Sequence, residues 1–474
     1  MTEVKKAFPL KIGLEIHGYL DTKEKLFCMC KTDFLKSEPN MIVCPICTGQ
    51  PGSKPMLPNK SAMEKLIAIA LVMKCKINHD RDLAWQRKHY NWADLPKGYQ
   101  NTISGAYSVP CAEKGKFHGI NITECHLEED PAQWNPESGG VNYNRSGLPL
   151  VEIVTEPEFF SAEQVVDWLR TLVHSLSYIK ALRKNGGIKC DVNVSTYGER
   201  VEMKNLNSLE KIEKAINYEI QRQLDNHASG IEQRRETLAF DEKTGKTIKM
   251  REKESGADYR FISDPDLPAI RLDEKEIKKI EKEIPEMPAE KLDKLIKKYK
   301  VEKADADVLV KNLVFVDFAE ALAEPVQSSS TKEPAKSLDL ARYVSWVTVE
   351  LPRVLNYKKK TLEDEDVEIK PAHLAELLAM VDKGEITVLK AKQIMNDFVP
   401  KSFSVKEKLK GDIGKLSEED TKKLVEQAIK ENPKVWEEYK GGKKESLNFL
   451  MGCVMKLSNR RADFNLVRKV FEGK

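Results

Sequence analysis

Apolar and polar positions alternate in three runs of the first half of the chain. In KIGLEIHGYL, Ile12, Leu14 and Ile16 alternate with Gly13, Glu15 and His17, the period of two that marks a strand with unlike faces. At strand rise, Glu15 and His17 lie about 7 Å apart on one face. GIKCDVNVSTY sets Ile188, Cys190, Val192 and Val194 against Asp191, Asn193 and Ser195, and RVEMKNLNS sets Val201 and Met203 against Glu202 and Lys204. Antiparallel strands with one apolar and one highly polar face predict a sheet covered on one side and lining a wet cavity on the other.

After SDPDLPAI the pattern changes. In EKEIKKIEKEIPEMPAEKLDKLIKKYK apolar residues recur every three or four positions, and Pro285 and Pro288 divide the run into separate helices. The polar run SSSTKEPAKS (Ser328–Ser337) reads as a loop, and Pro400 opens a last small helical unit. The expected fold class is therefore α+β, with a mainly antiparallel sheet over residues 1–266, a helical domain over 267–400 and a helical tail domain over 401–474.

Bulk composition narrows the class of protein. The length of 474 residues accommodates about three domains. A net charge of +3 is too small to imply nucleic-acid binding, so a basic surface must be local. One candidate is the end of the chain. From Cys453 to Lys474, six basic residues (Lys456, Arg460, Arg461, Arg468, Lys469 and Lys474) face two acidic ones. No run of 18 apolar residues occurs, and the start MTEVKKAFPLKIG lacks the apolar stretch of a secretory signal. The nine cysteines are odd in number and unevenly spaced, so a cytoplasmic protein with reduced thiols is expected.

Four of those thiols form two close pairs, Cys28 with Cys30 and Cys44 with Cys47, thirteen residues apart. CxC and CxxC pairs can fold two short knuckles around one zinc ion, whose bonds to sulfur are about 2.3 Å. Four thiolates fill the tetrahedron and leave no position for water or substrate, so a zinc ion here is structural. The other five cysteines lack partner spacing and read as small core residues.

No phosphate loop, dinucleotide fingerprint, HExxH or GxSxG elbow occurs. Candidate chemistry rests on acidic residues in polar, glycine-bounded segments: Glu15 and His17 in GLEIH, Glu128 to Asp130 in HLEED, Glu152 in LVEIVTEP and Asp191 in CDVNVS. Carboxylates with one imidazole suit Mg²⁺ or Mn²⁺, and Mg²⁺ usually enters with nucleotide phosphates. Each carboxylate alone reads better as a solvated surface charge, and Glu15 with His17 reads equally as a strand ion pair. RKHYNWADLPKGYQ adds Lys88 and Lys97 for phosphates, or else is a Pro-Gly turn with surface lysines.

Taken in order, the segments GLEIH, KLFC, CPICTGQPG, DLPKGYQ, HLEED, NRSGLPLVEIVTEP, CDVNVS, KNLNS, MREKE and DYRFISDPDLP resemble the B subunits of the tRNA-dependent amidotransferases, the GatB family. The resemblance continues through YVSWVTVEL and KGEITVLKAKQIM to YKGGKKESLNFLMGCVMKLSNRRADFN. It implies a ligase subunit that uses ATP to phosphorylate the side-chain carboxylate of Glu-tRNA(Gln) or Asp-tRNA(Asn), which ammonia then converts to the amide. It also implies two partners in a heterotrimer, an amidase subunit (A) that releases ammonia from glutamine and a small subunit (C). Carried over by motif, Glu15, His17, Glu129 and Glu152 would bind magnesium. Lys88 would contact phosphate, Asp191 would lie near a second metal or the nucleotide, and Lys204 and Asn205 would line the same cavity. In the tail, Lys456, Arg460, Arg461, Arg468 and Lys469 would bind the body of the tRNA.

Three segments depart from the family pattern: PAQWNPESGG after HLEED, LRKNGGIKC with Lys189 at a basic position, and Asn142 where aspartate is frequent. A longer relative serving only Glu-tRNA carries an inserted domain before the helical region, for which this chain has no room. Two other readings compete: a zinc-ribbon tRNA-binding or assembly subunit without catalysis, and a metal-dependent nuclease.

Overall fold

The computed structural model describes residues 8–90, 92–183, 186–252, 260–324, 338–408 and 414–474, without the side chains of residues 205, 251, 252, 407 and 408. The expected loop Ser328–Ser337 lies outside them. The chain divides into two compact units, Met1–Met287 and Pro288–Lys474.

The first unit is built on strands: β1 (Lys11–Tyr19), β2 (Lys76–Ile77), β3 (Gln86–His89), β4 (Tyr99–Thr102), β5 (Ala112–Phe117), β6 (Ile120–Glu129), β7 (Gln133–Trp134), β8 (Val141–Asn142), β9 (Pro149–Thr155), β10 (Ile188–Ser195), β11 (Val201–Leu206), β12 (Glu236–Asp241), β13 (Lys246–Glu252) and β14 (Arg260–Ser263). Twelve of them form one sheet in the order β13-β12-β11-β10-β1-β9-β6-β4-β3-β14, with β5 joined to β6 and β2 to β5 off this path. All of its pairings are antiparallel except β11 with β12. The remaining two strands, β7 and β8, make a separate ribbon.

β1 sits in the middle, with β10 on one side and β9 on the other. The alternation read from the sequence is the division of this sheet into faces. Ile12, Leu14 and Ile16 are buried in one core with Cys125 and Leu127, Val151 and Ile153, Cys190 and Val192, and Val201 and Met203. Helices α1 (Lys60–Val72), α2 (Ala162–Tyr178) and α3 (Leu209–Ala228) contribute to that core. In α2 the apolar stripe Val165, Leu169, Leu172 and Leu176 has the spacing of one helix face. Ser161 starts this helix by accepting from the Gln164 amide, and Gln164 accepts in return from the Phe160 amide.

The first unit reaches further than composition indicates. Leu267, Leu272 and Ile277 are buried in the core of the sheet. Helix α4 (Glu274–Glu283) packs on α1, with Lys60 Nζ 3.1 Å from Glu276. The charged residues that dominate 267–287 are the solvent face of this helix, and its few apolar ones decide where it packs.

The second unit is helical and holds two cores. Helices Leu313–Ala323, Leu340–Ser345, Pro371–Asp382 and Val388–Met395 surround the first, which ends at Val405. Helices Glu418–Glu431, Pro433–Lys440, Lys444–Leu457 and Phe464–Glu472 surround the second, around Trp436, Leu450, Val454 and Phe471. The cores meet where Leu389 packs on the second and the Lys415 amide donates to the Glu385 carbonyl at 2.7 Å.

Truncating Leu272 or Ile277 to Ala should destabilise the sheet by about 3 kcal/mol each, as for other buried aliphatic side chains. Native-state hydrogen exchange of the β1, β9 and β10 amides measures this. Unchanged protection of the sheet would place residues 267–287 in the helical unit instead.

Candidate active site and cysteine centre

The polar face of the sheet collects its charged residues by register. On β10, Asp191 stands opposite Glu15 and Lys189 opposite His17. On β9, Glu152 stands opposite His17, and on β6 His126 stands opposite Glu152. An extra residue of β11 between its partners Cys190 and Val192 brings Lys204 to Asp191. Together these strands floor a cavity of about 280 Å³, lined also by Lys88, Tyr90, Asp94, Gln100, Glu128 and Arg145.

Two groups of potential metal ligands share this floor, each with its donor atoms within 4.8 Å of one another: His17 with Glu128 and Glu152, and Glu15 with Asp191 and Glu202. His17 Nε2 lies 3.2 Å from Glu152 and 3.4 Å from Glu128. In the second group, Lys204 Nζ lies 2.6 Å from Asp191 and 3.0 Å from Glu202.

So many carboxylates together reshape one another's ionisation. Burial pushes the Glu15 carboxyl up, and the negative charges of Glu152 and Glu202 add to this. Burial alone would lower His17, but hydrogen bonds to Glu128 and Glu152 hold its ring well above the usual histidine range. His126 is likewise pushed up to about 10, against burial, by Glu152 and Glu124. The two rings hold Glu152 well below the usual carboxylate range although it is buried. Without a metal, these carboxylates therefore keep protons on both rings, which a divalent cation would displace from His17.

One end of the cavity is a second ionic cluster. Arg145 lies 2.7 Å from Asp130, and Tyr19 donates to Asp130 at 3.0 Å. Lys189 donates to the Tyr19 hydroxyl at 3.2 Å. Arg145 is fixed further by the carbonyls of Pro131 and Ala132, at 3.2 and 3.0 Å. Burial depresses Lys189.

The structure places most of the expected site residues in this one cavity. Glu15, His17, Glu152, Lys88, Asp191 and Lys204 all line it. Glu129 does not join the expected metal group. It accepts from Lys97 and from the Asn101 amide at 3.0 Å, and its neighbour Glu128 meets His17 instead. The reason is the strand's period of two, which gives Glu128 the face of His126 and Glu129 that of Leu127. The side chain of Asn205 lies outside the described residues. Glu202, Arg145 and Tyr19 were missed as site residues, and Asp130 reads in HLEED only as one of the candidate acids, without these partners. Alternation with Lys204 could have found Glu202, whereas the other three are joined by long-range contacts that no local pattern signals.

The four cysteines converge as their spacing predicts. Cys28, Cys30, Cys44 and Cys47 place their sulfurs within 4.8 Å of one another. Cys47 accepts from the Cys44 amide at 3.2 Å and from Lys25 Nζ at 3.4 Å. Its thiol is lowered to about 5, chiefly by the Cys28 hydrogen bond, with Lys25 assisting. Cys75, Cys111, Cys125 and Cys190 are buried elsewhere. In the tail, Lys456, Arg460, Arg468 and Lys469 are exposed, and Arg461 is half-buried. Arg461 Nε donates to the Ser458 carbonyl at 3.3 Å. No helix among the described residues is long and apolar enough to cross a membrane.

Comparison with known proteins agrees with this architecture. Residues 10–278 match the GatB/GatE catalytic domain, and residues 331–474 match the GatB domain. A Methanocaldococcus jannaschii protein, named as the B subunit of an aspartyl/glutamyl-tRNA(Asn/Gln) amidotransferase, is 44% identical over 463 residues, covering 96% of this chain and 95% of its own length. Proteins of the same name from Methanopyrus kandleri and Methanothermobacter thermautotrophicus are each 41% identical, covering 96% of this chain and 96% and 97% of themselves. The chain belongs to the GatB family, that of the B subunits of the aspartyl/glutamyl-tRNA amidotransferases.

Proposed function

We propose that this chain activates the side-chain carboxylate of Glu-tRNA(Gln), Asp-tRNA(Asn) or both with ATP, and then presents it to ammonia from the amidase subunit. A carboxylate oxygen attacks the γ-phosphorus and ADP leaves, giving an acyl phosphate. Ammonia adds to the acyl carbon, phosphate departs, and one proton is lost to give the amide. The observation that carries this reading is the convergence, in a single cavity, of His17, Glu128 and Glu152 and of Glu15 and Asp191 with Lys88, Arg145, Lys189 and Lys204. Phosphoryl transfer needs positioning and charge neutralisation more than covalent machinery.

His17, Glu128 and Glu152 fit a divalent cation, since two carboxylates and one imidazole converge on one point. Magnesium bound there would neutralise and align phosphate oxygens. Glu15, Asp191 and Glu202 offer a second ligand set. Lys88 on β3 and Lys204 on β11 bring positive charge from opposite flanks of the floor, which suits a polyphosphate lying across it.

The cysteine centre is read as a structural zinc site, closed by four thiolates. The exposed basic residues of the tail are read as a contact to the tRNA body. The family's amidase subunit (A) and small subunit (C) are the expected partners in a cytoplasmic heterotrimer. A non-catalytic zinc-ribbon assembly subunit would have no need of the carboxylates on the floor, so that alternative is not favoured.

Three outcomes are expected. Glu128→Gln and Glu152→Gln should each lower ATP-dependent phosphorylation of charged tRNA by at least about 100-fold, the scale of losing one electrostatic group in a closed site. Added ammonium should not rescue them, because the defect precedes ammonia attack. Glu129→Gln should retain more phosphorylation than Glu128→Gln, its contacts being to Lys97 and Asn101. The reverse order, read in a γ-phosphate transfer assay, would return Glu129 to the metal group.

Cys44→Ser should reduce zinc content and melting temperature together. Well-folded, active wild-type protein without stoichiometric zinc would refute the centre.

Arg460→Glu combined with Arg468→Glu should weaken binding of charged tRNA and flatten its salt dependence, since fewer phosphates are neutralised. Tight binding retained by this variant at two salt concentrations would remove the tail from recognition.

A further inference from the structure

Lys25 is a lysine whose charged end has not reached water. Only 1% of the residue is exposed. Its Nζ donates to Cys47 Sγ at 3.4 Å and to the Tyr143 carbonyl at 3.3 Å. Among the described residues no carboxylate pairs with it, so its acceptors are a sulfur and a carbonyl. A buried ammonium costs several kcal/mol unless a negative charge faces it. Four thiolates around one divalent ion leave two negative charges, and Lys25 stands against that excess.

The second acceptor of Lys25 leads to the catalytic cavity. Tyr143 begins the loop that carries Arg145, and the rest of that loop also rests on the cysteine centre. Ser146 Oγ donates to the Cys47 carbonyl at 2.7 Å, and the Leu26 amide donates to the Gly147 carbonyl at 2.8 Å. Gly147 has φ +80°, and a Cβ there would lie 3.6 Å from Cys47 Cβ and 3.8 Å from Lys25 Cδ. Its amide donates to the Asp130 carbonyl at 2.9 Å, and Asp130 is the partner of Arg145. Asn144 fastens the same loop to the cysteine-bearing segment through the Glu38 carbonyl at 2.7 Å and the Ile42 amide at 3.1 Å. From the four sulfurs to the guanidinium in the cavity there is one chain of direct contacts.

We propose that Lys25 is a positioning residue that balances the charge of the zinc–thiolate centre and, through the Tyr143–Gly147 loop, ties zinc occupancy to the placement of Arg145 in the catalytic cavity. The proposal rests on the zinc reading given above. It makes the cysteine centre more than a staple, because loss of zinc would leave Lys25 unbalanced and free the loop that holds Arg145.

The test uses the full chain assembled with its amidase and small subunits. Zinc per chain is measured by elemental analysis, and zinc release by transfer to a chromophoric chelator, for wild type, Lys25→Met and Lys25→Arg. Lys25→Met should release zinc at least about tenfold faster, the usual scale for losing an outer partner of a metal site, and Lys25→Arg should recover most of the difference. The kcat/KM for phosphorylation should fall in Lys25→Met, and combining it with Arg145→Ala should cost less than the two effects added. A wild type without zinc would overturn the zinc reading itself. Bound zinc with equal release rates in wild type and Lys25→Met would overturn the role of Lys25 alone. Additive kinetic effects of Lys25→Met and Arg145→Ala would overturn the link to the cavity. If Lys25→Met does not fold, zinc is stripped from the wild-type complex and restored. A reversible fall in kcat/KM at constant far-ultraviolet circular dichroism supports the link, and unchanged kinetics on stripping overturn it.

Discussion

Everything in the first unit depends on keeping a dense set of carboxylates charged on one face of a folded sheet. Glu15, Glu128, Glu152, Asp191 and Glu202 lie within one strand spacing of another member of the set. Buried together without cations they would repel and be stripped of water at a cost no small core could offset. The fold answers with interleaved positive groups: His17 and His126 between the glutamates, Lys204 between Asp191 and Glu202, and Arg145 against Asp130. The opposite face supplies the apolar burial that holds this arrangement together, and it can do so because a strand separates its two faces residue by residue.

The legible part of this structure follows from that separation. The alternation in KIGLEIHGYL, CDVNVS and RVEMKNLNS already assigns Glu15, His17, Asp191 and Lys204 to one surface, and the paired cysteines announce their own convergence. In two places the structure arranges the chain differently from the sequence expectation, for physical reasons. HLEED offers two adjacent glutamates, and only the phase of β6 relative to His17 selects Glu128; His126, two residues earlier, carries that phase. The boundary near Asp264 follows charge, which reports what faces solvent, whereas Leu267, Leu272 and Ile277 report what packs. The association of Arg145 and Tyr19 with Asp130 is illegible because it is made by folding: Tyr19 and Asp130 are separated by 111 residues.

The cysteine centre answers a different need. Residues 33–57 contain no helix or strand, and so long an irregular stretch has little of its own to hold it in one shape. Its contacts run to the 141–147 loop through Asn40, Asn142 and Asn144. Side-chain amides serve well for this, since each can donate to one backbone and accept from another. The two segments thus order each other, and four converging cysteines give the pair a fixed point beside the sheet.

The two ligand groups of the cavity floor differ in how their charge is met, and the difference bears on catalysis. Around His17 the balancing charge is a proton on a ring, held there by Glu128 and Glu152. Around Asp191 it is the ammonium of Lys204, raised above the usual lysine range because the charges of Asp191 and Glu202 outweigh burial. A cation held beside His17 would compete with that proton, so its affinity there would fall as pH falls. A cation held beside Asp191 would instead compete with the Lys204 ammonium for the same carboxylates. In the second group, then, the balancing charge is a side chain of the sheet itself, fixed by its own strand.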